Sequence, residues 1–270
     1  MPGEWWAVFL GCRPYAGNHF NTGRESFLAP VTWTETGWPR IDPGHETVQY
    51  QYPLPRTAGQ TVPATFLGPN VNEAIGFDRQ LDMRWLFLRN VATPWYDLDT
   101  VAGTLRLQLR PEVIAAQGNP SLMLRRQPHL YGEVQTHIDF VPARDEEMAG
   151  LLVLQNERHY YFVNKAADKL QVLKQTADGY ETLAETPYAA PGVHLRITAD
   201  GRYYHFDYSA DGKTFAPLLS DADATYLSTE TAGGFIGCMY GLYATSRGAE
   251  AGNHAVFDYL HIVSRDSTAP

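Results

Sequence analysis

The sequence predicts an all-β protein: a β-sandwich over residues 75–270, preceded by a small group of strands in residues 1–45. Three observations predict it. Strand-like apolar runs recur at short, regular spacing, with almost no helical periodicity between them. Three Asp-Gly pairs, Asp178-Gly179, Asp200-Gly201 and Asp211-Gly212, each stand between two such runs, where a tight hairpin needs a residue at positive φ. Aromatic residues make up 13% of the 270 residues, led by 16 Tyr and 12 Phe, and these side chains fit a pleated surface.

Taken in order, "EWWAVFLGCRPY" and "GRESFLAPVTWTETGWPRI" read as strands joined by turns. Phe27, Leu28, Val31 and Trp33 form the apolar run, Thr36-Gly37 the turn, and Trp38 and Ile41 the return. Residues 46–74 carry Pro53, Pro55, Pro63 and Pro69 with little periodicity, which predicts an extended linker or a strap along the surface. From Ile75 the pattern changes. In "WYDLDTVAGTLRLQLR", Leu105, Leu107 and Leu109 alternate with Arg106, Gln108 and Arg110, the mark of a strand with one wet face. "LYGEVQTHIDFVP" alternates in the same way, and "AGLLVLQNERHYYFVNK" reads as a hairpin around a polar turn. In "HLRITADGRYYHFDYSADGKTF", Leu195 and Ile197 face one way, and Tyr204, Phe206 and Tyr208 share a face of the return strand. "GGFIGCMYGLYATS" and "HAVFDYLHIVS" close the series. Pro111 to Ala116 is the one short helical candidate, and no fixed-period repeat occurs.

Composition narrows the function. Asp and Glu outnumber Lys and Arg by 30 to 21, for a net charge of −9, and such a surface repels phosphate backbones, so nucleic acid is excluded as a partner. No window reaches the roughly 18 apolar residues of a membrane-spanning helix. The opening "MPGEWW" has neither a basic segment nor an apolar core of the secretory type, which predicts a cytoplasmic location for a chain that starts at its natural Met. The 2 cysteines, Cys12 and Cys238, stand far apart; they form either a disulfide or, as expected, two reduced thiols, and offer no zinc spacing.

The order of motifs carries a resemblance. "EWWAVFLGCRPY" followed by "GRESFLAPVTWTETGWPRI" resembles the last blade of the five-bladed propeller of glycoside hydrolase family 43, in its two-domain β-xylosidases and α-L-arabinofuranosidases. "FDRQLDMRWLFLRN", "SLMLRRQPHLYGEVQTHIDF", "GCMYGLYAT" and "FDYLHIV" resemble, in the same order, the concanavalin A-like sandwich appended to those propellers. The resemblance implies xylo- or arabino-oligosaccharides as substrates of the complete enzyme, with inverting hydrolysis. That chemistry needs a carboxylic acid and a carboxylate base roughly 6.5–9.5 Å apart, leaving room for a water. The family keeps both on earlier blades, so the resemblance assigns neither role here; Glu25, Glu35 and Asp42 match no catalytic position and are expected to be surface or strand-pairing carboxylates.

Two substrate-binding candidates remain. Arg24, in the "GRESFL" motif, corresponds to an arginine that points into the sugar pocket of the resembling enzymes, where its planar fork can hold a hydroxyl or a carboxylate. In this chain, with most pocket walls absent, it is expected to stand exposed. Phe235, in "TAGGFIGCMYG", is the nearest aromatic to the one the family sends from a sandwich loop to the pocket mouth. Gly234 occupies the place of its usual aromatic neighbour, which favours the core-facing reading of Phe235 over the pocket one.

Other features receive plainer expectations. His19 reads as a turn histidine rather than a metal ligand. "HYYF" (159–162) and "YYHFDY" (203–208) are open to use as sugar-stacking platforms, although alternation sends half of such rings to the core. No cofactor is expected; "ARDEEMAG" (143–150) has the hard oxygens for a structural calcium ion, yet reads first as a solvated turn. The leading reading is therefore the C-terminal piece of a family 43 enzyme, bracing the propeller and shaping the pocket, and inactive alone. The alternative is a free-standing carbohydrate-binding, lectin-like sandwich; a third is a separate polypeptide that supplies the missing blades. Trp5, Trp6, Val8, Phe9, Phe27 and Leu28, on strands without neighbours, are expected to fold onto the sandwich, to be poorly ordered, or to self-associate through their open edges.

Overall fold

A computed structural model describes residues 4–15, 17–45, 47–49, 52–53, 70–78 and 80–266. Strands β1 (Trp5–Gly11), β2 (Glu25–Trp33) and β3 (Pro39–Ile41) form an antiparallel sheet of their own, in that order. Val8 pairs with Leu28 on one face, and Phe9 with Phe27 on the other, their rings stacked at 5.9 Å. Trp5 and Trp33 meet edge to face at 5.5 Å. Apolar side chains thus occupy both faces, the pattern of a sheet that expects cover on both sides. Here Val8 is 75% exposed.

Strand β4 (Asn70–Gly76) begins inside the segment read as a linker, so the sandwich starts before Ile75. Beyond Pro69, Val71, Glu73 and Ile75 turn inward in alternation, a signal that the dense prolines just ahead obscured. Residues 54–69, the rest of that Pro-rich stretch, lie outside the described residues.

The sandwich strands are β5 (Tyr96–Asp97), β6 (Leu105–Gln108), β7 (Ser121–Arg126), β8 (Tyr131–Asp139), β9 (Met148–Asn156), β10 (His159–Ala166), β11 (Lys169–Thr176), β12 (Gly179–Pro187), β13 (Gly192–Asp200), β14 (Tyr203–Ser209), β15 (Ala216–Asp223), β16 (Met239–Thr245) and β17 (His254–Arg265). One sheet runs β12-β11-β10-β9-β16-β7; the other runs β15-β14-β13-β8-β17-β6-β5, with β4 also on β17. One edge of β17 pairs with β8 along most of its length. The other edge is shared, β6 taking its first part and β4 its second.

Leu105, Leu107, Val134, Ile138, Leu195, Ile197 and Phe206 of one sheet meet Leu151, Val153, Tyr161, Val163, Val172 and Leu242 of the other in the main core. A second cluster, with Leu152, Leu154, Tyr160, Phe162 and Tyr243, covers the far face of the six-stranded sheet, against Leu86 and Leu88. Both faces of that sheet are therefore buried, which is why β9 and β16 read as continuous apolar runs. The same packing corrects the stacking-platform reading of 159–162, where Tyr160, Tyr161 and Phe162 are all buried; in 203–208 the rings alternate, Tyr204 and Phe206 buried and Tyr203 exposed.

The helical candidate is a 3-10 turn at Ile114–Ala116. A second 3-10 turn, Ala224–Leu227, and α1 (Thr229–Ala232) were not foreseen; Asp223 begins the former, accepting from the Thr225 amide at 3.0 Å. The three Asp-Gly turns are present, with Gly179, Gly201 and Gly212 at φ 113°, 60° and 69°. In the last, Asp211 Oδ1 accepts from the amides of Thr214 and Lys213, both at 2.9 Å, and from Ser209 Oγ at 2.9 Å. Those amides, with the Ser209 hydroxyl, lower the Asp211 carboxyl to about 2. The ordinary value is roughly 3.9, so the charge favours the folded state fully above that pH and loses its effect as pH falls towards 2. Asp211→Asn is thus expected to melt below the wild type at neutral pH and to converge with it near pH 2, in thermal melts across that range.

Candidate functional site

The residues between β1 and β2 fasten the small sheet to the sandwich. Asn21, 2% exposed, donates from Nδ2 to Tyr204 Oη (3.2 Å) and to the Ala224 carbonyl (3.0 Å), and accepts from Tyr15 Oη (2.9 Å). Its carbonyl accepts from the Cys238 amide at 2.6 Å. Two glycines then let the chains touch backbone to backbone. A Cβ on Gly23 would lie 2.3 Å from the Gly237 nitrogen, and one on Gly237 would lie 2.3 Å from the Thr22 carbonyl oxygen.

That contact brings the two sequence-predicted residues together. Arg24 projects from the loop, and its guanidinium carbon lies 4.1 Å from the centre of the Phe235 ring. Phe235 is 67% exposed, so the core-facing reading is corrected. The reason is local: Gly233 and Gly234 take φ of 74° and 80°, which side chains other than glycine disfavour, and the loop turns outward. Gln155 Nε2 secures it by donating to the carbonyls of Ile236 (2.9 Å) and Gly233 (3.2 Å). The result is a cation stacked on an exposed aromatic face.

A second anchor sits under the loop. Arg13 grips Glu25 with two bonds of 2.8 Å, and reaches Asp266 (2.6 Å), His129 Nδ1 (3.0 Å) and the Pro128 carbonyl (2.9 Å). Gln127, in the "SLMLRRQPHLYGEVQTHIDF" segment, ties the same region together. Gln127 accepts from Tyr204 Oη at 2.8 Å, and its amide donates to the Cys238 carbonyl at 3.0 Å. Sequence reasoning missed Arg13, Asn21 and Gln127, because their partners lie far away along the chain; the glycines at 23 and 237 were the visible signal. Arg13→Ala removes the cation shared by the partly buried Glu25 and Asp266 carboxylates. A loss of about 1–2 kcal/mol is expected, above the range of an exposed pair and below that of a fully buried one. Urea denaturation of the variant beside the wild type measures it.

Glu25 is thus a structural ion-pair partner, and Glu35 is exposed. Asp42 departs from the surface reading: it is buried, accepting from Tyr52 Oη (2.7 Å) and contacting His45 Nδ1 (3.0 Å) where β3 ends. His19 Nδ1 meets Ser228 Oγ at 2.7 Å, one more tie between the loop and the sandwich. Cys12 and Cys238 are both free; burial pushes the Cys238 thiol up to about 12. In the 143–150 loop, Glu147 accepts from the Ala143 amide (2.8 Å) and Asn253 Nδ2 (2.6 Å), so its carboxylate is committed to the turn.

A two-sheet sandwich with a small antiparallel sheet pinned to one of its loops defines the class, a β-sandwich domain that carries a second, separate sheet. The family described as "Beta xylosidase C-terminal Concanavalin A-like domain" matches residues 75–263. The chain belongs to that family, GH43_C2. It is 31% identical to the non-reducing end α-L-arabinofuranosidase BoGH43B of Bacteroides ovatus, across 96% of this chain and 48% of that protein. A xylosidase/arabinosidase of Butyrivibrio fibrisolvens is also 31% identical, over 96% of this chain and 50% of its own length. Among solved structures, Bacteroides ovatus GH43B superposes with a TM-score of 0.82 at 31% identity, covering 96% of this chain and 51% of that one. The GH43 protein BlXynB of Bacillus licheniformis gives 0.83 at 27% identity, over 97% of this chain and 51% of that one. The chain spans about half the length of the relatives it matches.

Proposed function

We propose that this chain is the pocket-shaping C-terminal part of a family 43 glycoside hydrolase acting on xylo- or arabino-oligosaccharides. Arg24 and Phe235 form part of the rim of its sugar site. The observation that carries this reading is the Arg24 guanidinium 4.1 Å from the Phe235 ring centre, held where the loop before β2 and a sandwich loop meet. A fork of cationic donors beside an exposed ring suits a sugar, which offers hydroxyls and an apolar ring face. The catalytic acid and base come, in this reading, from propeller blades that pack on the β1–β3 sheet and cover Val8 and Leu28.

The test is to assay the chain alone, and the chain fused behind a family 43 propeller segment, on aryl β-xylosides and aryl α-L-arabinofuranosides. No turnover alone and turnover in the fusion is the expected result; turnover by the chain alone overturns the reading. The lectin-like alternative draws less support, because the candidate rings Tyr160, Tyr161 and Phe162 are filled into the core. Saturable heat on titrating the chain alone with xylo-oligosaccharides at millimolar concentration would revive it.

A further inference from the structure

Three neighbouring strands of the larger sheet bring two histidines and two aspartates together on its outward face. Register places His194 of β13 and Tyr259 of β17 on either side of His137 in β8. Asp139 follows His137 by two residues and so shares its face. In β17 a bulge between Phe257 and Tyr259 leaves Asp258 as the extra residue, and a bulge re-aims the side chain it carries. Asp258 Oδ2 lies 2.6 Å from His137 Nδ1. One donor atom from each of His137, Asp139 and Asp258 falls within 4.8 Å of the others. The rings of His137 and His194 stand 4.4 Å apart, and His194 Nδ1 is 3.0 Å from Tyr259 Oη. Gly192, opposite Asp139, keeps the gap between strands open: a Cβ there would lie 2.8 Å from Asp139 Oδ1 and 2.9 Å from His137 Nε2.

We propose that this cluster binds a divalent transition-metal ion of the zinc class, with His137, Asp139 and Asp258 as ligands and the ring of His194 packed beside His137. The donor set decides the class. Imidazole nitrogen with carboxylate oxygen suits zinc and its neighbours, whereas calcium and magnesium take oxygen throughout. Bonds of about 2.0–2.2 Å hold tetrahedral ligands about 3.4 Å apart. The observed spread closes by rotation of the two carboxylates, both of which are exposed to solvent. Bound there, the ion ties β8 to β17, two strands whose segments are distant in sequence. The site shares no residue with the Arg24–Phe235 pair, so it stands or falls independently of the proposed glycosidase role.

The test titrates the chain, first stripped with EDTA, with zinc chloride by calorimetry. One ion per chain is expected, with the melting temperature raised by roughly 5 °C at a hundredfold excess over Kd. His137→Asn and Asp139→Asn should each weaken binding at least tenfold; Asp139→Asn alters an exposed carboxylate and leaves the fold in place. Cobalt chloride in place of zinc should give a visible absorption band that the same variants lose. Calcium chloride should give no saturable heat. Absence of saturable zinc binding, zinc binding unchanged in Asp139→Asn, or preference for calcium would each overturn the proposal.

Discussion

Arg24→Ala, made in the fusion of this chain behind a family 43 propeller segment, is expected to lower kcat/KM on aryl β-xylosides by about 10- to 100-fold. The estimate follows from the type of bond at stake. A hydrogen bond from a charged donor contributes about 1.5–3 kcal/mol, and 1.36 kcal/mol is a factor of ten in rate. Arg24→Lys keeps the charge and loses the planar fork, so it should recover only part of the loss. Phe235→Ala removes the surface on which the guanidinium rests. A cation over an exposed ring is worth about 0.5–1 kcal/mol, so a few-fold decrease is expected there. Arg24 is exposed, and its only described ring contact is Phe235, so the melting temperature of Arg24→Ala should match the wild type. A variant within twofold of wild-type kcat/KM would overturn the proposed place of Arg24 at a sugar-binding rim.

Gly237→Ala is expected to separate the small sheet from the sandwich. The added Cβ would lie 2.3 Å from the Thr22 carbonyl oxygen and 2.4 Å from its carbon, and these are backbone atoms that cannot rotate aside. Gly237 does not sit at positive φ, so the effect is steric alone, whereas Gly23, at φ 73°, would combine clash with strain. Opening the contact by the needed ångström breaks the Cys238–Asn21 bond and draws Phe235 from Arg24. A cost of about 3 kcal/mol is expected, at the upper end of overpacking, and it falls on docking rather than on either core. Hydrogen exchange should therefore quicken at Trp5–Gly11 and Glu25–Trp33 while Met148–Asn156 stays protected. Unchanged protection in β1 and β2 would contradict the role given to this contact.

Much of the fold was legible in the sequence because its signals are local. Each Asp-Gly turn announced its own hairpin, and the strict alternation of Leu105, Leu107 and Leu109 announced a half-wet strand. The double burial of the six-stranded sheet was less legible, since an unbroken apolar run such as "GLLVL" does not say how many faces are covered. Asn70 to Ala74 were hidden by the prolines before them. At the site, Arg24 came from its motif, but the outward turn of Phe235 depended on the backbone angles of two glycines, which a sequence lists without orienting. Arg13 reaches Glu25, Pro128, His129 and Asp266 at once, and no spacing rule joins residues so far apart. The His137–Asp258 approach needed a bulge, which a residue pattern does not mark.

The placement of β17 governs when this domain can come into being. That strand lies between β8 on one side and β6 and β4 on the other, so the larger sheet has a gap at its middle until the segment around His254 to Arg265 leaves the ribosome. Hairpins such as β13–β14 can close during synthesis, whereas the sheet as a whole must wait. Its high contact order predicts slow assembly, and nascent chains stalled ahead of His254 should remain open to protease at β4 and β6.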